Sequence, residues 1–285
     1  MVTKSKDPVI VVLQLTGGND YFNSVVPYTD ANYYDNRPTL QIRDDRVLKL
    51  NDELGLHPAM GPMKEIYDNG QMAVVHGVGY ANSPRSHFRS MDIWHTCEPD
   101  KVGTEGWLGR ALRDIDPQGT SPVTGVNIGQ ALPRAMVAPG VSVASVADLS
   151  TYGLLTGIEE EETRSKMLER FANMYGPAIG TGPVMDYLGQ TGLDALKGAD
   201  ILKAAPDGYN SEVEYGSDNI ARSLRDVAMI HIANLGTRVF YTQHGSFDTH
   251  SGELTSHAKL WQEVSGAIGD FYDDLKEHGR EDEVV

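Results

Sequence analysis

Three short stretches of this chain concentrate side chains able to hold a metal or an anion. In "GSFDTHSGELTSH" (245–257), which follows an apolar run ending at about Thr242, Asp248, His250, Glu253 and His257 fall within ten positions, with His244 just before them. A carboxylate and an imidazole two residues apart, with further acidic and imidazole groups close by, form an oxygen and nitrogen donor set suited to divalent ions. The competing reading is an Asx-type turn leading into a helix. In "TGGNDYFNS" (16–24), Gly17 and Gly18 permit a tight backbone turn, and Asn19 and Asp20 offer oxygen ligands. This is not the G-x-G-x-x-G dinucleotide fingerprint, and taken alone it is an ordinary turn. In "GYANSPRSHFRSMDIWHT" (79–96), Ser83, Arg85, Ser86, His87 and Arg89 crowd the start of a helix. Unpaired N–H groups and the helix dipole favour a tetrahedral oxyanion there, and arginine adds a fork of donors. Ser86 can equally be a plain N-cap, and adjacent Ser and His side chains cannot face each other as a catalytic pair. His57, His76, His95, His231 and His278 are read as structural or surface residues.

Something must bring these stretches together. Runs rich in β-branched residues predict strands at Val9 to Leu15, Met72 to Val78 and Arg238 to Thr242. Helical spacing marks Met60, Met63, Ile66 and Tyr67, ending at Gly70, and a second helix from about Asp218 to Leu235. A third helix carries Leu260, Val264, Ile268, Phe271 and Leu275, with Thr255 or Ser256 as N-cap and Gly279 as the stop. Alternating strands and helices predict an α/β fold around a central, mostly parallel sheet with helices on both faces. Ligands bind such sheets beyond the carboxyl ends of the strands, and each polar stretch follows a predicted strand. All three are therefore expected on one edge. The middle, about 111–215, has weaker periodicity and reads as a cap or insertion that carries "EEEETRSKMLERFANMY" as a helix.

The bulk numbers narrow the chemistry. A net charge of -16 and a pI near 4.9 leave no basic patch, so neither a nucleic acid nor an anionic membrane is an expected partner. A single cysteine, Cys97, excludes an intramolecular disulfide and a cysteine-rich metal site. The apolar run after "MVTKSKDP" is too short to span a membrane and lacks a small-residue cleavage site, so the chain reads as cytoplasmic. The end, "GREDEVV", reads as a strand that has barely begun, so 1–285 is taken as a single α/β domain with its C-terminal strands missing.

Four of these motifs, in this order, resemble the DUF1501 family, which is similar to the alkaline phosphatase and sulfatase superfamily: "LQLTGGNDYFNSVVPY", "LHPAMGPMKEIYDNGQMAVVHGVGY", "RSHFRSMDIWHT" and "FDTHSGELTSHAKL". The resemblance runs from about Val9 to Val285. It implies an alkaline-phosphatase-like fold with a divalent metal (zinc, manganese, magnesium or calcium) at the carboxyl edge of the sheet, acting on small or polymeric phosphate or sulfate esters. By motif, Asp20, Asp248 and His250 stand where the superfamily holds its metal, with His257 as an additional ligand. Ser86, then Ser83, stands nearest to the nucleophile, with Asn19, Arg85, His87 and Arg89 around the anion. No cysteine occupies the nucleophile position, which speaks against formylglycine chemistry. Relatives continue into "SEFGRR" and "DHG", neither of which occurs here, so the last ligands of a two-metal site are expected to be absent. Many relatives carry a twin-arginine signal, which by analogy implies export. The alternative is a non-catalytic protein of the same fold that binds an anionic or carbohydrate ligand.

Overall fold

The computed structural model describes residues 8–147, 149, 161–175, 182 and 198–285. In chain order its elements are β1 (Ile10–Leu15), α1 (Tyr21–Ser24), β2 (Val25–Val26), α2 (Ala31–Asn36), β3 (Leu48–Lys49), β4 (Gly55–Leu56) and α3 (Gly61–Asp68). There follow α4 (His87–Thr96), α5 (Trp107–Ile115), β5 (Gly125–Ile128), β6 (Val143–Val146), α6 (Glu161–Tyr175) and the short helical stretch α7 (198–202). The last elements are α8 (Asn219–Ile232), β7 (Val239–His244) and α9 (Glu253–Glu277).

The fold is α/β. Four strands form a parallel sheet in the order β1-β7-β5-β6, with β1 in register with β7 from Ile10↔Val239 to Leu15↔His244. Side chains alternate across a strand, so the sheet has two distinct faces. Phe240, Val126 and Val146, with Val11 and Leu13, pack against α8 and α9. Val239, Tyr241 and Val12 pack on the opposite side with Leu108 and Leu112 of α5. A small antiparallel sheet, β2-β4-β3, sits over the N-terminal half of α9, where Leu56, Met60, Phe247, Leu260 and Trp261 share a core. Among the described residues no helix is long and apolar enough to cross a membrane.

Three expectations need correction. Met72 to Val78 forms no strand: Gly70 and Gly77 both adopt positive φ, Val75 and Val78 are exposed, and only Val74 reaches the core. The run is apolar, but among the described residues no strand pairs with it. The 111–215 stretch, expected as a cap, instead supplies β5 and β6, which are half of the central sheet. These strands are four residues each, too short to show a period. The third helix begins at Glu253 after Gly252, so Thr255 and Ser256 lie inside it rather than at its N-cap. At the chain's end, Val284 makes a parallel bridge with Val9, and Val285 N–H donates to the Val9 carbonyl at 2.8 Å.

Candidate metal and anion site

Because β1 and β7 are adjacent, parallel and in register, the loops that leave Leu15 and His244 must meet at one edge of the sheet. They are stitched together by Thr16 N–H donating to the His244 carbonyl (2.9 Å) and Phe247 N–H donating to the Thr16 carbonyl (3.1 Å). The fully buried Phe247 ring anchors the β7 loop, so its neighbour Asp248 has a fixed starting point. Gly17, at φ +106, lies so close that a Cβ there would sit 2.5 Å from Asp248 N. Only glycine allows this approach. A Cβ on Gly18 would in turn meet His87 Cε1 at 3.2 Å and Asp248 Oδ1 at 3.6 Å.

The result is a cluster of three donors. His87 Nε2 lies 3.4 Å from Asp248 Oδ2, and His250 Nε2 lies 3.0 Å from Asp248 Oδ1. One ligand atom from each residue falls within 4.8 Å of the others, and all three side chains are open to solvent. Two imidazoles and one carboxylate on an open edge match the composition of a catalytic zinc-type site, which uses three protein ligands and leaves a position for water or substrate. The donor set fits a divalent metal.

Of the other residues singled out above, Asp20 is held elsewhere. It caps α1 by accepting from Phe22 N–H (3.1 Å), and both of its oxygens accept from Arg37, Nη2 at 2.8 Å from Oδ1. Burial pushes its carboxyl pKa up, but hydrogen bonds from Arg37 and Glu253 and the Arg37 charge outweigh this and hold it below the ordinary value. Glu253 moves the other way, raised by burial and by Asp20 beside it. His257 is buried behind this pair, its Nε2 3.0 Å from Asn19 Oδ1, and burial lowers its pKa. Asn19 and His257 thus brace the β1 loop from inside, and neither joins the three-donor cluster.

At α4, Ser86 caps the helix, its hydroxyl accepting from Arg89 N–H at 3.5 Å. Arg89 is committed to Asp92 and to the carbonyls of Pro99 (3.0 Å) and Lys101 (2.9 Å). Arg85 and Ser83 are exposed, and Arg85 makes no ion pair among the described residues. Arg85 and the first-turn N–H groups are therefore the donors left for an anion. A second His/carboxylate group, Asp274, Glu277 and His278, is engaged in structure: Asp274 Oδ2 accepts from Tyr209 and Tyr215 hydroxyls, each at 2.7 Å, and Glu277 accepts from Ser211 at 2.8 Å.

Comparison with protein-family models, characterised proteins and solved structures finds no match to this chain. The site stands on its own geometry. The sequence reading placed His87 around the anion and did not single out Arg37. The signal for Arg37 is weak: a lone arginine 17 residues beyond Asp20 can be linked to it only once the chain has folded.

Proposed function

We propose that the chain is a metal-dependent, hydrolase-like protein acting on phosphate or sulfate esters, with His87, Asp248 and His250 as the ligands of one divalent ion. The observation that carries this reading is the convergence of those three donors, from two distant segments, at the carboxyl edge of a parallel sheet. The motif resemblance to the DUF1501 family and the alkaline phosphatase and sulfatase superfamily supports the same chemistry.

His87, Asp248 and His250 would hold the divalent ion, which when bound would supply Lewis acidity toward an ester oxygen. The protein's own groups do the rest. Arg85 and the unpaired N–H groups of the first α4 turn hold the tetrahedral anion. Ser86, beside the ligand His87 in the chain, offers its hydroxyl: Oγ bonds to phosphorus or sulfur as the bond to the ester oxygen breaks, the hydroxyl proton passes to that oxygen so that it departs as the alcohol, and water later cleaves the Ser86 ester, releasing the acid and restoring the hydroxyl. The hydrogen bond that engages this hydroxyl is long at 3.5 Å, so it is weakly held.

A second reading, a non-catalytic binding protein of the same fold, draws on Asp20, whose carboxylate is neutralised by Arg37 and is not presented to a metal. Zinc titration separates a metal protein from a metal-free one. We expect one ion per chain, with affinity falling at least about tenfold in Asp248→Asn and His250→Ala. Hydrolysis of p-nitrophenyl phosphate or p-nitrophenyl sulfate by the zinc-loaded protein, abolished by a chelator and by Asp248→Asn, supports the enzyme. Stoichiometric zinc without turnover removes the hydrolase reading for these esters, and no stoichiometric zinc removes the metal-dependent hydrolase and supports the binding protein.

A further inference from the structure

A cavity of about 380 Å3 lies on the sheet face that carries Val12 and Tyr241, between that face and helix α4. Its walls include Met91 and Trp94 of α4 and Trp107 at the start of α5, and its floor is Gln14, His95 and Tyr241. His87 and Gly17 also line it, so it opens beside the three-donor cluster. This size falls in the range of small-molecule pockets, which are typically apolar with a few placed polar groups. Trp94 is half-exposed, with Tyr80 edge-on to it at 6.4 Å and the Tyr80 hydroxyl tied to Ser90.

The polar floor is specific. Gln14 is the one polar side chain of β1, and its Oε1 accepts both from the Tyr241 hydroxyl and from His95 Nε2 at 2.7 Å. With its carbonyl oxygen taken twice, Gln14 has only its amide N–H groups to offer, and they have no partner among the described residues. His95 donates through Nε2, so its Nδ1 is an acceptor, likewise without a partner among the described residues. Burial, aided by the Arg134 charge and opposed by Asp92, keeps the His95 pKa below its ordinary value, so the ring is neutral at pH 7. A donor beside an acceptor matches a hydroxyl group, which is both, and a flat indole matches the apolar face of a ring.

We propose that this cavity holds a single hydroxylated sugar ring, seated on Trp94 with hydroxyls on Gln14 and His95. Its position beside the donor cluster makes that ring the alcohol portion of the ester; this role rests on the hydrolase reading, whereas ring binding does not.

The test therefore uses chelator-treated full-length chain, titrated with the methyl glycosides of glucose, galactose and mannose and, separately, with phenol, and read by saturation-transfer NMR. At least one glycoside is expected to bind saturably, with millimolar affinity that falls about tenfold or more in Trp94→Ala and in Gln14→Met and is unchanged in Arg43→Ala, whose exposed side chain lines no part of the cavity. Circular dichroism and thermal melting establish that each variant is folded; if either cavity variant unfolds, the other decides. The proposal is overturned if no glycoside binds saturably up to roughly 100 mM, if the folded variants bind as well as the parent chain, or if phenol alone binds. Failure of zinc binding or of ester hydrolysis leaves this titration intact, so the two readings fall separately.

Discussion

Lowering the pH from 7 to 5 is expected to strip stability from this protein through His57. The side chain is buried, with the His257 ring edge-on at 5.6 Å, and its Nδ1 accepts from Ala59 N–H at 3.0 Å. Burial first, then the charges of His257 and Arg46, lower its pKa from 6.5 to about 4. The folded state therefore resists a proton that the unfolded chain accepts from about pH 6.5 downward. Stability tied to His57 is whole above that value and drains away as pH falls toward about 4. With these two pKa values, the linkage relation gives a loss of about 2 kcal/mol at pH 5, approaching about 3 kcal/mol below pH 4. His257, whose pKa is also lowered, adds to the loss in the same direction. Urea unfolding at pH 7 and pH 5, with chelator present to silence the metal ligands, measures the total. His57→Asn isolates the His57 share, because the asparagine carbonyl takes the place of Nδ1 toward Ala59 N–H and cannot titrate. The variant starts less stable at pH 7 and should lose about 2 kcal/mol less than the parent between the two pH values. Equal losses in the two proteins would refute the argument.

Ser86→Ala in the zinc-loaded protein should cost about 1 kcal/mol of stability as a lost cap and remove ester turnover as a lost nucleophile. Turnover that survives a lowered melting temperature reassigns Ser86 to capping alone. Gly17→Ala places a Cβ 2.5 Å from Asp248 N at a φ of +106, so we expect zinc affinity to fall at least about tenfold and stability by more than about 1 kcal/mol; unchanged zinc titration contradicts the role given to this contact. Asp274→Leu leaves the Tyr209 and Tyr215 hydroxyls without their shared acceptor, at a cost of about 1–3 kcal/mol. Amide exchange should accelerate across residues 209–216, which α9 holds through Asp270, Asp274 and Glu277. Unaltered exchange there would show that the segment is held by something else.

How far this site could be read before folding depended on whether each residue's position follows from the chain near it. β1 and β7 are six-residue strands whose apolar runs, Ile10–Leu13 and Val239–Tyr241, are long enough to be recognised, and their parallel pairing sends both following loops to one edge. Asp248 and His250 are carried to the site by that topology, with Phe247 buried behind them. β5 and β6 were invisible as strands because four residues bounded by turn formers carry almost no periodic signal, and their burial is a tertiary property. The same limit explains Asp20. Its spacing after β1 suits a metal ligand, but the short α1 helix that begins at Tyr21 turns its side chain into an N-cap, where it meets Arg37. His87 moved in the opposite direction. From sequence it was one of several polar residues at a helix start; the glycines of the β1 loop leave the space into which its imidazole fits, 3.2 Å from where a Gly18 Cβ would stand. Ligand identity here is set as much by side chains that are missing as by those present, so exchanging either glycine should disturb the cluster although neither donates an atom to it.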